Sequence, residues 1–457
     1  MKKILALILV LAMVVFAFGC TAQPTAEDVA AAADAVEEAV EEAVAEEVAE
    51  EVAEAAGDAD VYNVCVILPM SGPNANQGNT MWAAIQCAYE YFNTVKGGFQ
   101  TKNVEFEFTV CDLENDPDLA ASLFEKNAAT MNAGIGCYKT AATIACAALA
   151  TKYEIPFLNP MSTADTASAL DSKYVFKMCV SDSQSMTSIA DCMKFLEGLD
   201  DHAYTKGSII YCSDDYGKSI SSALQGLIFP TVGWEVAAME QLQTNATTDA
   251  SGAINKAKQS GSDITCVVMS TAEAVLVQKQ FKELKFDQPV WSGGSGYFDI
   301  SYFENTAGAG NYVVCACSWE KCEMKTGPKE AYDWYDRISE VAGVTFSEAG
   351  ATAWLSIAVL CEGVDAAASL AGPDVADAIA ALNLPKEHWG NMFTQYKGIS
   401  FGQAKGLVGT DPLYGVNLGA TCIFVQSLND EWNLVFQPGG EIANNPIVWP
   451  HVPYNED

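Results

Sequence analysis

Residues 134–160 read GIGCYKTAATIACAALATKYEIPFLNP, and this stretch decides the fold class. Gly134–Gly136 has the form of a strand end, and the Ala-rich run Thr140–Tyr153 predicts a helix. Ile155–Leu158 is a short apolar run, which is typical of a buried strand. Two strands joined by a helix over so few residues predict a βαβ unit with parallel strands.

The same alternation of strand and helix continues on both sides of this stretch. Further strands are predicted at 61–68, 104–111, 174–179, 207–212, 234–241, 265–270 and 290–293, with helices at 79–93 and 118–131 and from Gly217. The run at 174–179 ends the first set of elements and a second set begins at 207. We therefore predict an α/β protein with two Rossmann-like lobes, each built on a parallel sheet.

Composition excludes several classes of function. The chain of 457 residues has 24 Lys and Arg against 59 Asp and Glu, a formal net charge of −35. Nucleic acid is not expected as a partner, because such binding depends on basic residues that neutralise phosphates. The three histidines, His202, His388 and His451, are far apart. They offer little for histidine-based catalysis or metal binding, and we expect neither enzyme activity, nor a metal, nor a cofactor.

The first twenty residues are predicted to be a targeting signal. Lys2 and Lys3 precede an apolar run from Ile4 to Phe18, which is short for a membrane-spanning helix. Cys20 directly follows Gly19, as in a bacterial lipoprotein signal, where this cysteine becomes the acylated first residue. The prediction is a lipid-anchored protein on the extracytoplasmic face of the cell membrane. The alternatives are an ordinary cleaved signal, or a retained anchor in which Cys20 is only a small apolar residue.

Residues 21–60 form a separate zone of Ala, Val and Glu. The zone contains fourteen Asp and Glu and no Lys or Arg. Valines recur every four residues from Val36 to Val52, so their stripe winds around a helix and makes a poor coiled-coil seam. We predict a solvated, partly helical tether; a weak self-association helix is the alternative. The protein as a whole is expected to be a monomer.

Fifteen cysteines are many for an exported chain, where disulfides can form. Most of them stand in apolar strand-like or helix-like runs, which favours small buried core residues. No CxxC motif occurs, so the common zinc and thioredoxin signatures are absent from the sequence. Cys315, Cys317 and Cys322 form the one cluster, for which burial, a disulfide and a metal all remain open.

The loops that follow the predicted strands indicate where a ligand binds. Ligands of open α/β sheets bind beyond the carboxyl ends of the strands. These loops are rich in hydroxyl groups, glycine and aromatic residues, which suits a small polar ligand; they are residues 70–73, 137–140, 159–163, 213–217, 270–271 and 292–296.

Several segments, taken in order, resemble the branched-chain amino acid binding proteins of ABC importers, which have the type I periplasmic-binding fold. The resemblance covers about residues 61–440 and rests on LPMSGPNANQG, YFNTVKGG, CDLENDPDLA, residues 134–160, STADTASAL, KYVFKMC and YCSDDYGKS. It implies two lobes joined by a three-stranded hinge, with crossings near 179–181, 317–319 and 418–421. Lobe one would be 61–180 with 318–419, and lobe two 181–317 with 420–457.

The resemblance also implies site residues in lobe one. Thr140 matches a hydroxyl that contacts the ligand carboxylate, and a helix start can hold such an anion. Thr163 matches a residue that contacts both the amine and the carboxylate, and the Met161 carbonyl matches a second amine acceptor. Plain helix caps are the alternative for Thr140 and for Ser162 with Thr163. Cys137 and Tyr138 would line the same wall, and Gln77 matches a frequent aromatic position.

In lobe two, Tyr216 matches a tyrosine that meets the ligand on closure, and Ser270 and Thr271 match a frequent aromatic position. Gly294 and Ser295 depart from the family, which usually has Glu or Asp there to pair with the ligand ammonium. Asp299 is a weak substitute, so an amide or a simple carboxylic acid stays possible as ligand. The family's disulfide is in doubt as well, because Asn115 stands where the partner of Cys137 would be.

Together these features predict an extracytoplasmic solute-binding lipoprotein. It would capture a small amino acid, amide or carboxylate between two lobes and deliver it to an ABC permease, with closure of the lobes as the mechanism. The alternative is a ligand-sensing receptor domain of the same fold. That role would need an output segment, and we expect none after Asp457.

Overall fold

The computed structural model describes residues 59–299, 301–322, 329–394, 396–407, 409–437, 440–441 and 447–450. The predicted signal with Cys20, and the tether up to residue 58, lie outside these residues. The described residues from Tyr62 to Lys102 and from Phe106 onward belong to one compact unit, whose fold is described below, and residues 59–61 and 103–105 belong to the other.

Strands and helices alternate along most of the described chain. The strands are β1 Asp60–Leu68, β2 Val104–Asp112, β3 Ala133–Gly136, β4 Phe157–Asn159, β5 Val175–Lys177, β6 Lys206–Cys212, β7 Glu235–Leu242, β8 Ile264–Val268, β9 Val290–Ser292, β10 Val313–Cys317, β11 Asn383–Pro385, β12 Gly398–Ala404, β13 Leu413–Asn417, β14 Ile423–Leu428, β15 Glu431–Gln437 and β16 Gly440–Glu441. The α-helices are Ala75–Thr94, Pro117–Asn127, Thr140–Tyr153, Asp182–Glu197, Asp215–Ala223, Phe229–Val232, Ser251–Gln259, Thr271–Glu283, Tyr302–Thr306, Glu330–Ala342, Glu348–Ala366 and Gly372–Ala381.

The strands form two eight-stranded sheets. The first has the order β11-β12-β13-β5-β4-β3-β1-β2, and the second has the order β16-β15-β14-β10-β9-β8-β6-β7. Parallel pairs join β13 through β5, β4 and β3 to β1, and join β10 through β9, β8 and β6 to β7. The predicted two-sheet α/β class is confirmed. The antiparallel strands at one edge of each sheet were not predicted from periodicity.

The chain passes between the two sheets three times. It leaves the first sheet after β5, returns after β10, and leaves again between β13 and β14. Each passage includes one of the crossings that the resemblance placed near 179–181, 317–319 and 418–421. We call the elements packed on the first sheet the first lobe, and those on the second sheet the second lobe. The exact lobe boundaries stay a prediction.

Local sequence explains why the central strands form. All residues of β8 (ITCVV) and of β10 (VVCAC) are buried, as expected where helices cover both faces of a parallel sheet. The helix Thr140–Tyr153, predicted at the same bounds, ends at Glu154, which adopts a left-handed conformation. The Ile155 N–H then donates a hydrogen bond to the Ala150 carbonyl oxygen, which closes the last turn of the helix.

The helix Glu348–Ala366 forms much of the first lobe's interior. By length and apolar character it could cross a membrane, but 83% of its most apolar window is buried in the protein. Trp354 on this helix is fully buried, and its indole nitrogen donates to the Trp389 carbonyl oxygen at 3.1 Å. These contacts are those of a core helix.

The cysteines behave mainly as small core residues. Every cysteine in the described ranges is free, and all but Cys111 and Cys322 are buried. The Cys137 and Cys146 sulfur atoms lie 3.7 Å apart, which is a hydrogen-bond contact and not a disulfide bond. Across the same ranges no group of His, Cys, Asp or Glu is arranged to hold a metal ion.

Replacement of Gly415 by alanine is expected to destabilise the first lobe. Gly415 lies on β13 with φ +59°, and a Cβ there would stand 1.9 Å from the Val175 carbonyl oxygen of β5. Left-handed strain and a backbone clash together should cost at least about 2 kcal/mol of unfolding free energy. Urea denaturation of the ligand-free protein measures this change. Gly252→Ala is the control, because its Cβ would meet open space in a helix. Equal stability of Gly415→Ala and the unmodified protein would contradict the expectation.

Candidate functional site

A cavity of about 70 Å³ lies where loops of the two lobes meet. This volume has room for roughly five water molecules, at 10–15 Å³ for each water centre, and so suits a small solute. The lining combines hydroxyl groups, apolar side chains and three charged groups: Tyr138, Lys139, Thr140, Met161, Ser162, Thr163, Val180, Asp182, Ser185, Ile189, Tyr216, Ile220, Gly293, Ser295, Ala316, Cys317, Ser318, Glu348 and Cys422.

The start of the helix Thr140–Tyr153 forms part of the first lobe's wall. Thr140 is the first residue of this helix, and Lys139 holds the cap position without a side-chain cap bond. The alternative, in which Thr140 is a plain helix cap, does not hold, because Lys139 is at the cap position. The first intrahelical bond runs from the Thr143 N–H to the Lys139 carbonyl oxygen. The N–H groups of residues 140–142 precede it, and such groups favour a bound anion.

The loop after β4 holds the second group of hydroxyls against this helix. Asn159 fixes the loop, because its Oδ1 accepts from the Ser162 N–H at 2.9 Å and its Nδ2 donates to the Ser162 carbonyl oxygen at 3.1 Å. The Ser162 hydroxyl then donates to Thr140 Oγ1 at 3.1 Å. Thr140 and Ser162 thus meet at one point of the lining, although the sequence separates them by 22 residues.

A buried lysine positions Thr163 at the end of the same loop. The Lys177 ammonium group donates to the carbonyl oxygens of Thr163 and Ala164, both at 2.9 Å, and Lys177 is fully buried. Burial lowers the pKa of Lys177, because the interior disfavours its charge. The Thr163 carbonyl oxygen also accepts from the Asp182 N–H at 3.1 Å. These hydrogen bonds within the protein hold the loop in its conformation without any contribution from a ligand.

The second lobe contributes Tyr216 from the first turn of the helix Asp215–Ala223. Asp214 caps that helix, since its carboxylate accepts from the Gly217 N–H at 2.8 Å. The Tyr216 hydroxyl oxygen is buried and has no hydrogen-bond partner in the protein. Burial and the nearby carboxylates Asp182, Asp214 and Glu348 raise the pKa of Tyr216. A buried hydroxyl without a partner beside a cavity is suited to a ligand.

A polar contact bridges the two lobes beside the cavity. The Lys139 ammonium group of the first lobe donates to the Ser270 hydroxyl at 3.2 Å and lies 4.0 Å from Asp214 Oδ2. Ser270 in turn donates to Asp214 Oδ2 at 2.7 Å. Because both partners of Lys139 belong to the second lobe, this contact exists only while the lobes are close together.

Two buried carboxylates line the cavity. Asp182 is 2% exposed and accepts from the Ser219 hydroxyl, and Glu348 is 7% exposed and accepts from the Ser318 N–H. Burial raises the pKa of Asp182 to about 6 and that of Glu348 to about 7. Both groups therefore change charge near neutral pH.

The structure brings seven of the twelve predicted binding residues to the cavity: Tyr138, Thr140, Met161, Ser162, Thr163, Tyr216 and Ser295. Their roles toward a ligand stay predictions. Thr163 and Tyr216 come from different lobes, so residues of both lobes line one common space.

The other five predicted residues lie outside this lining. Gln77 is buried, accepts from the Ser347 hydroxyl at 2.8 Å and approaches the Phe298 carbonyl oxygen at 3.5 Å. Cys137 belongs to the first lobe's hydrophobic core. Ser270 serves the contact between the lobes, and Thr271 begins the helix Thr271–Glu283. Gly294 packs against the second sheet, where a Cβ would stand 2.3 Å from the Ala316 carbonyl oxygen.

Asp299 does not reach the cavity lining, and its carboxylate instead accepts from the N–H and the hydroxyl of Ser301 at 3.0 and 2.6 Å. The three charged residues of the lining, Lys139, Asp182 and Glu348, were not among the predicted binding residues. Asp182 directly follows the first predicted crossing, which is a usable signal, since hinge residues border the cleft. Glu348 had no such signal, because only the fold brings the start of its helix to the cleft.

Comparisons with known proteins agree with this geometry. Residues 61–397 match the family model described as periplasmic binding protein. Among similar solved structures is a leucine binding protein from Thermotoga maritima, with 18% sequence identity and a TM-score of 0.66 over 82% of this chain and 99% of that chain. A branched-chain amino acid transporter substrate binding protein from Streptococcus pneumoniae in complex with isoleucine has 18% identity and a TM-score of 0.66 over 85% and 100%. A solute binding protein of an ABC transporter from R. palustris in complex with benzoate has 16% identity and a TM-score of 0.64 over 85% and 99%.

Proposed function

The chain belongs to the periplasmic binding protein family, and on that premise we propose that it captures a small amino-acid-like solute between its lobes and delivers it to an ABC importer. The family consists of solute-binding proteins and not of enzymes. The observation that carries the proposal is the cavity itself, where hydroxyls and helix N–H groups of the first lobe face Tyr216 of the second.

A carboxylate is the ligand group that the first lobe fits best. The start of a 14-residue helix offers N–H groups and the positive end of its dipole, and Thr140 and Thr163 add hydroxyl donors. The ligands named for two of the similar structures, isoleucine and benzoate, share a carboxylate. This common group supports a carboxylate-bearing solute for the present chain.

Closure of the lobes is the proposed mechanism of capture. A ligand held by Thr163 and Tyr216 at once would add contacts only in the closed form, and a ligand shifts a conformational equilibrium by its difference in affinity for the two forms. The contact of Lys139 with Ser270 and Asp214 also favours the closed form. No reaction of the solute is required.

Anchoring and delivery complete the proposal. Acylation of Cys20 would hold the protein at the outer face of the membrane, and the acidic tether 21–60 would let the lobes reach a permease. Incorporation of labelled fatty acid into the unmodified protein and not into a Cys20→Ala variant tests the anchor. Absence of label in both would contradict it.

Thermal-shift screening of the purified protein tests the binding function. Amino acids, amides, small peptides and aromatic acids form the panel, and a true ligand stabilises the folded protein by mass action. At one hundred times Kd the stabilisation is about 2.7 kcal/mol, which a melting curve resolves easily. If no compound of these classes shifts Tm, the proposed ligand class is wrong.

Replacement of Tyr216 by phenylalanine is expected to weaken binding without loss of stability. The hydroxyl has no partner in the ligand-free protein, so its removal breaks no internal bond. One lost hydrogen bond to a ligand corresponds to about 1 kcal/mol, or roughly a fivefold rise in Kd. Titration calorimetry with the strongest ligand of the panel measures Kd. Tyr211→Phe is the matched control, since Tyr211 bonds Gln241 on the surface. A Tyr216→Phe variant with unchanged Kd would remove this hydroxyl from the site.

A further inference from the structure

We propose that Glu348 and Asp182 supply the negative charge for an ammonium group of the solute, so that the ligand is an amino acid or another amine-bearing acid and not a simple carboxylate. This inference rests on the proposed function and specifies its substrate class. In sequence the two residues are far from positions 293–295, where the family usually has an acidic residue and this chain has Gly-Gly-Ser.

The two carboxylates reach the cavity from separate parts of the fold. Asp182 begins the helix Asp182–Glu197 just after the first crossing, and Glu348 begins the helix Glu348–Ala366 in the first lobe. Both line the cavity and both are more than nine-tenths buried. An acidic residue in the first turn of a helix is favourable by itself, but that benefit does not require burial beside an open space.

Among the described residues, no cation pairs with either carboxylate within 4.0 Å. Lys139 also lines the cavity, but it lies beside Asp214 of the second lobe. The Lys177 ammonium group donates to the backbone carbonyl oxygens of residues 163 and 164. The direct donors are neutral: the Ser219 and Thr163 hydroxyls bond Asp182, and the Ser318 N–H bonds Glu348, while Lys177 acts on Asp182 only from beyond 4.0 Å. An ionised carboxylate buried without a cation is costly, and a ligand ammonium group would remove that cost.

The Tyr216 hydroxyl is an independent sign of a ligand at this place. Its oxygen is buried and unpartnered, and the charges of both Asp182 and Glu348 act on it. It can accept a hydrogen bond from an ammonium group, and such a donor is what the surrounding carboxylates favour. A second carboxylate on the ligand would instead meet two like charges. The helix start at Thr140 and this acidic wall together match the two charges of a zwitterion.

The pH dependence of binding follows from the same carboxylates. Burial raises their pKa values from 3.8 and 4.5 to about 6 and about 7. Without ligand, the protonated carboxyl groups contribute their full stability below the ordinary pKa values of 3.8 and 4.5. This contribution is lost as pH rises through the folded-state pKa values of about 6 and about 7. An ammonium ligand needs the ionised forms, so its affinity should rise from pH 5 to pH 8. A simple carboxylate should show the opposite trend, because the ionised forms repel it.

Other titratable groups interact with Glu348 and Asp182, and their contributions to the pH dependence of binding must be distinguished from those of this pair. Glu320 near Glu348 has its pKa raised by burial to about 7, so it ionises over the same range. Burial raises the pKa values of the phenols and thiols that act on the pair, and these groups stay uncharged at pH 5–8. The groups that act on Glu348 or Asp182 are Tyr138, Asp165, Lys177, Cys179, Tyr216, Cys315, Glu320 and Cys422.

Matched pairs of probes test the inference on the unmodified protein. The pairs are leucine with 4-methylpentanoate, phenylalanine with 3-phenylpropanoate, and alanine with propanoate, which differ only in the amino group. Titration calorimetry at pH 5, 6, 7 and 8 should find the preferred amino acid bound at least tenfold tighter than its partner at pH 8. Its affinity should rise with pH, while that of the partner should fall. A carboxylate bound as tightly as its amino acid would overturn the inference and leave the proposed function intact. Failure of all six probes to bind would overturn the inference and count against the proposed ligand class.

Substitutions assign the effect to the two carboxylates. Glu348→Gln keeps an oxygen that can accept from the Ser318 N–H, and Asp182→Asn keeps one for Ser219. Each should lower the preference for the amino acid at pH 8 about tenfold and flatten its pH dependence. Glu340→Gln on the exposed face of the helix Glu330–Ala342 is the control for loss of one negative charge. If Glu348→Gln and Asp182→Asn both retain the full preference, the ammonium group is bound elsewhere and the inference fails.

Discussion

A chain with alanine at both Thr140 and Thr163 is expected to bind the solute at least about 100-fold more weakly than the unmodified protein. Both residues line the cavity beside the start of the helix Thr140–Tyr153, where the proposal places the ligand carboxylate. A hydrogen bond to a charged group contributes about 1.5–3 kcal/mol, so each single substitution should raise Kd tenfold or more. Titration calorimetry with the strongest ligand of the screen measures these changes.

Thr151, on the same helix as Thr140, provides the control. Thr151 bonds the Ser172 hydroxyl and the Ala147 carbonyl oxygen and does not line the cavity. Thr151→Ala should therefore lose some stability and no affinity. If Thr140→Ala and Thr163→Ala both bind with unchanged Kd, the carboxylate does not lie at this helix and the proposed binding mode is wrong.

Filling the cavity by Gly293→Leu is expected to abolish binding while the lobes still fold. A Cβ at Gly293 would lie 2.8 Å from the Tyr216 hydroxyl oxygen and 3.4 Å from an Ile220 methyl group, both in the cavity lining. A leucine side chain would compete with the ligand for about 70 Å³. Overpacking costs of about 3 kcal/mol correspond to more than 100-fold in Kd.

Gly226→Leu is the matched substitution outside the cavity. Nothing lies within 4 Å of a Cβ at Gly226, so this variant should fold and bind normally. Circular dichroism and thermal melting confirm that both variants are folded before Kd is compared. Undiminished binding by folded Gly293→Leu would show that the solute does not occupy the cavity.

The fold could be predicted from sequence because its signals are local. The helix Thr140–Tyr153 has its predicted bounds, and strands such as β8 read as short apolar runs. The antiparallel edges were harder, because β11 to β13 follow a long helical segment and show weaker patterns. The cap of the helix Thr140–Tyr153 was not predicted, since Lys139 holds the cap position without a side-chain cap bond.

The candidate site was predictable where a loop directly follows a strand. Thr163 and Tyr216 lie in such loops, and both line the cavity. Ser270 lies in such a loop too, but its hydroxyl meets Asp214 and Lys139, a contact that no single stretch of sequence reveals. Glu348 could not be predicted from sequence for the same reason, because only the return of the chain to the first lobe brings it to the cleft.

A crystal structure of the protein with the amino acid that stabilises it most would test the binding site directly. The predicted result is a ligand between the lobes, with its carboxylate at Thr140 and Thr163, its amine beside Glu348 and Asp182, and Tyr216 in contact with it. A ligand bound outside this cleft, or one that touches a single lobe only, would contradict capture by closure.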